Sequence, residues 1–495
     1  MRVAVIGGGI AGLAAAYRTA KLFSDLNKPL ELSVFEAGSR LGGIIETLED
    51  GGYLVEMGPD SFTTLKPAAI DLCRDIGLKG KLISTNKDNR RAFIARGGVL
   101  NAIPKGFVML APHQYDTFFE SNILSKTGKL RMAIEQFIAP IATIAEDESV
   151  ASFVRRRFGP EAVDSIAQPM MGGIYTSDIT KLSLRATMPK FLDYEQKYGS
   201  VAAGIRCEER KSKRTTQAIS ESTSAATDIA STSHAAESGG ARYSAFVSFD
   251  RGMQVLPNHL AELIGQLIGR KNIHCNSSVD SLSQVSEGWS IDLATGGSLI
   301  FDQVILAVPT AVASRLLKNV DEAASDLLSR IRYASSAVAC IIVDRAQITH
   351  PLDGFGFVVP AKENRSILAC SFSSIKFAGR CSDDKIILRI FMGGELDPQI
   401  WQLPDHELLE MALRDLNFYL GLTGVPERHW VKRWPQSMPQ YEVGHLTLVR
   451  SIEQALSGLK GVHYAGAGLH GIGIPDCIAS GESAARSVLS SSSYH

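Results

Sequence analysis

Near its start the chain sets four glycines, Gly7, Gly8, Gly9 and Gly12, between a short apolar run, Val3-Ala4-Val5-Ile6, and a stretch of helix-forming composition from Ala11 to Leu22. In the pattern Gly7-x-Gly9-x-x-Gly12 the first glycine permits a tight turn, the second lets backbone approach a pyrophosphate, and the third lets the helix pack on the strand. Gly8, Ile10 and Ala11 complete the loop, where the unpaired N–H groups and positive dipole end of a helix favour phosphate. Glu36 closes a second alternating run, Leu30 to Glu36. A carboxylate there accepts hydrogen bonds from a ribose hydroxyl pair and disfavours the extra phosphate of NADP. Strand, glycine turn, helix and acid-tipped strand together predict a dinucleotide site.

Little else in the chain offers side-chain chemistry. The seven cysteines stand singly, with no C-x-x-C, and the 11 histidines show no ligand spacing, so no metal site is assigned. There is no Ser-His-Asp set and no evident pair of carboxylates, and no catalytic side chain is assigned. His445, in a turn-like Gly444-His445 step, reads as structural. Cys477, after Asp476 at an expected helix start, is given no covalent role.

The elements that must position these residues read as a mixed α/β chain. At 495 residues it has room for two or three domains, and 51 basic against 52 acidic side chains argue against nucleic-acid binding. No apolar run is long enough to span a bilayer. Phased glycines inside the first apolar run argue against a signal peptide. A helix is expected from Lys66 to Ile76, and a hairpin from Ala92 to Ile103 turning at Gly97-Gly98. A helical stretch from Phe107 to Ala145 mixes large apolar residues with lysines and arginines, and reads as a helical subdomain with its own core or, alternatively, as an in-plane membrane contact. Residues 207–241 turn to Ser, Thr, Ala and small charged residues and are expected to be a disordered insertion within a domain. Strands follow at Ile273–Val279, Trp289–Leu293, Gln303–Val308, Ser335–Val343, Gly356–Val359, Ser366–Phe372 and Lys385–Phe391, with a helix at His406–Leu420. The opening grammar then returns: a strand at Val462–Ala465, glycines from Gly466 to Gly473, and a helix from about Ala479.

The segment Glu36-Ala37-Gly38-Ser39-Arg40-Leu41-Gly42-Gly43, with Arg40 and the pair Gly42-Gly43 directly after the ribose-binding acid, resembles the second signature of the FAD-binding amine oxidase superfamily. Within it the chain is most similar to the protoporphyrinogen and coproporphyrinogen oxidases, over nearly its whole length apart from 207–241. The likeness rests on Glu56-Met57-Gly58-Pro59-Asp60-Ser61-Phe62, Gly172-Gly173-Ile174-Tyr175, Gly252-Met253-x-x-Leu256-Pro257, Gly354-Phe355-Gly356-Phe357, Pro439-x-Tyr441-x-x-Gly444-His445 and Gly471-Ile472-Gly473-Ile474-Pro475-Asp476-Cys477-Ile478.

The resemblance implies that Gly58, Pro59, Asp60 and Ser61 face the isoalloxazine of FAD, that backbone at Val279 holds adenine, and that Trp434 with Ile472, Gly473 and Ile474 lies against the flavin. For substrate it implies a propionate-binding arginine before the Ala92-Phe93-Ile94 strand, assigned to Arg91, and apolar walls at Val358, Leu368 and Phe391, with Gly173 leaving room. The implied activity is porphyrinogen oxidation in haem biosynthesis, with molecular oxygen returning hydrogen peroxide. The chain would be cytoplasmic or peripheral on a membrane, homodimeric, and able to hand product to a ferrochelatase.

The implied architecture is a Rossmann-like FAD-binding domain (1–90, 245–310 and 440–495), an inserted mixed-sheet substrate domain (91–104 and 311–439) and a helical, membrane-associated subdomain (105–205). Two other readings stand beside it. One is a flavin amine oxidase, against which Ala465-Gly466-Ala467-Gly468-Leu469 lacks the usual Gly-Glu-x-Thr. The other is a non-catalytic binding protein on the same fold.

Overall fold

The structure is a computed structural model and describes residues 1–141, 147–222 and 245–491. Arg2–Ile6 forms a strand because Val3, Ala4, Val5 and Ile6 are apolar and buried, as a central parallel strand requires. It turns through the glycines into the helix Ile10–Asp25 and returns as the strand Glu31–Phe35. The parallel sheet runs in the order Ile273–His274, Glu31–Phe35, Arg2–Ile6, Gln303–Leu306, Val462–Tyr464, so five strands far apart in the chain make one layer.

Three helices cover one side. Ile10–Asp25 packs against Val255–Ile268 and against Ile474–Ser491. At Gly481 the helices Ile474–Ser491 and Ile10–Asp25 approach so closely that a Cβ would stand 2.2 Å from the Ala11 carbonyl oxygen.

A second, mixed sheet of seven strands runs Arg428–Pro439, Tyr333–Asp344, Lys385–Gly393, Ala369–Phe372, Gly356–Val358, Phe93–Arg96, Val99–Ala102. Its pairings are antiparallel except that Gly356–Val358 meets Phe93–Arg96 in parallel. The expected hairpin at Gly97-Gly98 thus joins this sheet at its edge. Residues 311–331, expected with the second sheet, instead pack as the helices Thr310–Leu317 and Glu322–Ser329 on the parallel one: Leu316, Leu317 and Leu328 share a core with Ala4, Ile6 and Phe35.

Against the second sheet, at Ile94 and Val358, packs a helical region with its own core around Phe107, Phe118, Phe153, Phe158 and Phe191. Its start departs from the expected helix: Phe107–Val108 and Ala111–Pro112 form a small hairpin before the helices Asp116–Glu120 and Lys126–Ala133. The fully buried Arg157 is held by Glu135, Glu195 and the carbonyl of Gly199, an arrangement that satisfies a charge water cannot reach. Within the expected insertion, residues 207–222 are helical, continuing Val201–Ser222. Val201, Ala202 and Ile205 anchor that helix in the core, and Glu, Arg, Lys and Gln favour its continuation. The rest of that expected insertion, 223–241, lies outside the described residues.

Candidate functional site

The glycine turn is tight in the way its spacing requires. A Cβ on Gly7 would stand 2.2 Å from the Ala307 carbonyl oxygen, and one on Gly12 1.9 Å from that of Gly7. The helix Ile10–Asp25 has no side-chain cap and no acidic residue in its first turn. The amides from Gly9 to Gly12 therefore present donors to whatever anion lies before them. Glu36 is fixed rather than free: one carboxylate oxygen accepts from Gly8 N–H at 2.7 Å and the other from Gly38 N–H at 2.7 Å.

The neighbouring loops close on this acid. Ser277 N–H donates to the Glu36 carbonyl and Asn276 N–H to that of Gly38, which carries the chain to the buried Val279 beside the same strand end. Gly43 lies against the phosphate loop, and a Cβ there would come within 3.2 Å of Gly9 Cα. Arg40 is tied to the same turn. Its guanidinium donates to the carbonyls of Leu41, Gly43 and Ile45 and pairs with Glu46 at 3.0 Å, so it braces the Gly42-Gly43 turn that lies against the phosphate loop.

From there the chain leads to the segment expected at the flavin ring. A Cβ on Gly58 would collide with the Ile44 carbonyl oxygen at 1.7 Å, so only glycine lets the two segments touch. Pro59 follows. Asp60 is buried between Lys376, at 2.8 Å, and Arg389, at 3.2 Å; burial alone would raise its carboxyl, but the two cations hold it well below the usual carboxylate range. Ser61 Oγ donates to Asp60 at 2.7 Å. Trp434, half-buried on the second sheet's edge strand, donates its indole N–H to the Met57 carbonyl at 2.9 Å.

The C-terminal glycines are pinned by Tyr441, whose hydroxyl accepts from Gly471 N–H at 2.7 Å and donates to the Ala467 carbonyl at 2.5 Å. Ile472 packs toward the helical core and Ile474 into the core under the parallel sheet, with Gly473 between them. His445, stacked on Tyr441 at 4.0 Å between ring centres, contacts the Leu469 carbonyl, and burial lowers its basicity. Cys477 is buried within the C-terminal helix, and burial pushes its thiol up to about 12.

Next to Lys376 opens a largely apolar cavity of about 290 Å³ between the second sheet and the helical region. Gly173 and Val358 lie side by side in its wall, Phe93, Met170, Phe246 and Phe391 add apolar surface, and Lys376 is its charged residue.

Leu368 lies elsewhere. With Gly172, Val359 and Arg365 it lines a separate cavity of about 240 Å³, since adjacent residues on these strands face opposite ways. Arg91 is not among the cavity's lining residues: its guanidinium pairs with Asp353 at 3.1 Å and is about half exposed. Sequence reasoning missed Lys376, Arg389, Phe246 and Tyr441's role. Lys376 and Arg389 meet Asp60 from more than 300 positions away, and no local pattern announces that.

The arrangement suits a bound dinucleotide at the uncapped helix and Glu36, and a flat apolar guest in the cavity beyond. The sequence profile described as flavin containing amine oxidoreductase matches residues 10–489. The coproporphyrinogen III oxidase of Bacillus subtilis (strain 168) is 33% identical over 488 residues, covering 98% of this chain and 97% of that protein. Protoporphyrinogen oxidase 2, chloroplastic/mitochondrial, of Arabidopsis thaliana is 28% identical, covering 99% and 94%. A crystal structure from Exiguobacterium sp. 255-15 superposes with a TM-score of 0.82 at 29% identity, covering 98% of each chain. Reduced UDP-galactopyranose mutase, at a TM-score of 0.70 and 15% identity with 99% and 95% covered, shares the fold.

Proposed function

Because the chain belongs to the flavin-containing amine oxidoreductase family, we propose that it is an FAD-dependent porphyrinogen oxidase of haem biosynthesis, acting on coproporphyrinogen III with molecular oxygen as acceptor. The observation that carries this reading is the apolar cavity lined by Gly173, Val358 and Lys376, the last paired to Asp60, in a chain similar to a coproporphyrinogen III oxidase over nearly its full length. Protoporphyrinogen IX is the second substrate, favoured by the likeness to the Arabidopsis enzyme.

The residues present divide the work simply. Amides from Gly9 to Gly12 would hold the pyrophosphate and Glu36 the ribose hydroxyls, while Gly58 to Ser61, Trp434 and Ile472 to Ile474 would bound the ring. FAD, when bound, accepts a hydride from the substrate and returns the electrons to oxygen. The cavity walls exclude water and hold the flat macrocycle in place, which is most of what is needed when aromatisation drives the reaction. No proton-transfer side chain is required of the cavity.

Aerobic turnover of the purified protein with coproporphyrinogen III and protoporphyrinogen IX in parallel, followed by porphyrin fluorescence and peroxide release, tests the reading. Porphyrin from the first at the higher rate supports it. Bound flavin without porphyrin from either would end it.

The helical region adds a place of work. Phe119, Leu130, Ile134, Phe137 and Ile141 are exposed large apolar side chains on consecutive elements, with Phe137 80% exposed, and Lys126 and Arg131 lie among them. That surface supports peripheral contact with a membrane. Among the described residues no helix is long and apolar enough to cross one.

A further inference from the structure

Five charged side chains meet behind the segment Gly58–Ser61. Lys376 Nζ lies 2.8 and 3.0 Å from the two Asp60 oxygens and donates to Ser61 Oγ at 3.1 Å. Arg389 pairs with Asp60 at 3.2 Å and donates to the Gly58 carbonyl. Deeper, Arg380 stands 3.9 Å from Glu56, which also accepts from Met253 N–H at 2.9 Å and Thr47 Oγ at 2.7 Å. Arg389, Arg380 and Glu56 have side chains 2–3% exposed, and Asp60 and Lys376 12% and 15%. Around Asp60 two cations, Lys376 and Arg389, thus face one carboxylate where little of any of the three side chains is exposed. Burial, the largest influence on Glu56, pushes its carboxyl up.

A buried ion cluster that served packing alone would be expected to balance its charges, because an uncompensated charge in a low-dielectric interior is costly. Here the excess lies on the two residues nearest Gly58–Ser61, and one of them, Lys376, also lines the apolar cavity. We propose that Lys376 and Arg389 are a buried cationic pair that raises the reduction potential of the flavin, an inference that rests on the reading of Gly58–Ser61 as the ring-facing segment. When the substrate C–H bond breaks, two electrons and one proton leave as a hydride; the substrate carbon is oxidised and the flavin ring gains one negative charge. The oxidised substrate sheds a second hydrogen as a proton to solvent, and oxygen then takes both electrons, with the hydride's proton and one from solvent, and departs as hydrogen peroxide. Positive charge fixed beside the ring favours the first transfer without moving a proton itself. Lys376 and Arg389 are in this sense tuning residues and need not touch substrate.

The test is a dye-coupled redox titration of the flavin in the purified holoprotein. Lys376→Met removes a positive charge and Asp60→Asn a negative one, while both break the same ion pair. The first is expected to lower and the second to raise the midpoint potential, each by at least a tenfold change in the two-electron equilibrium, about 30 mV. Lys376→Arg should stay within threefold of the parent protein. Shifts of one sign in both variants, or shifts under threefold, would overturn the proposal, since a merely structural pair predicts them. Should K376M not retain flavin, Lys376→Gln takes its place, and the charge-balanced double variant K376M/D60N must return to within threefold of the parent. A parent protein that purifies without flavin absorbance would instead overturn the flavin reading on which the inference stands.

Discussion

Single atoms decide whether the nucleotide loop can exist. Gly12→Ala would place a methyl 1.9 Å from the Gly7 carbonyl oxygen, a backbone atom that cannot yield, so the variant is expected to purify without flavin absorbance. Tyr441→Phe is a gentler probe: it strips a partner from Gly471 N–H and from the Ala467 carbonyl at once. Leaving them unpaired should weaken FAD binding by roughly 1–3 kcal/mol, read as the flavin dissociation constant. In the cavity, Gly173→Leu would fill the space beside Val358, where a Cβ already lies 3.5 Å from Val358 Cγ1. The expected result is a Michaelis constant raised about tenfold or more, with the flavin content per protein unchanged. A variant that lost flavin in step with activity would count against Gly173 as a substrate contact.

At the scale of elements, the edge strand Val462–Tyr464 carries a pH response. His463 sits beside Gln303 at 2.9 Å, and burial lowers its pKa to about 4. An unfolded histidine titrates near 6.5, so between about 4 and 6.5 the unfolded chain binds more protons, and stability falls as the pH drops through that window. Chemical denaturation should show up to about 2 kcal/mol lost between pH 6.5 and 5, and His463→Gln should flatten that slope. Elements also divide what could be read in advance. The glycine turn, the hairpin at Gly97-Gly98 and most strands announce themselves by local pattern. Arg428–Pro439 does not: it is an edge strand whose residues, Lys432 and Arg433 among them, are mostly half-buried, so no apolar alternation marks it. The C-terminal helix begins at Ile474, earlier than its composition suggests, because Pro475 suits the first turn of a helix. The Asp60 cluster was illegible for a different reason, being made of tertiary contacts alone. The apolar patch on the helical region belongs to this scale too: replacing Leu130 and Phe137 with Glu should cut liposome co-sedimentation several-fold while turnover in detergent persists.

For the whole molecule, the discontinuous division read from the sequence serves as a proposal: a nucleotide-binding unit gathered from three stretches of chain, with the second sheet and the helical region inserted between them. The parallel sheet takes strands from positions 2 to 464 in sequence, and the helix Ile474–Ser491 clamps the helix Ile10–Asp25 through Gly481 and Ala11. Truncation before Val462 should therefore remove flavin binding from the far end of the chain, measurable as loss of flavin absorbance in whatever soluble protein remains. The same layout sets a schedule for biosynthesis. Gln303–Leu306 is wholly buried in the finished sheet, yet its neighbour Val462–Tyr464 follows more than 150 residues later. At 5–20 residues per second the ribosome leaves that flank without its partner for roughly 8–30 s. During this interval the nascent chain carries an open, apolar strand edge that a chaperone must shield, and cofactor capture waits until translation has passed the C-terminal helix.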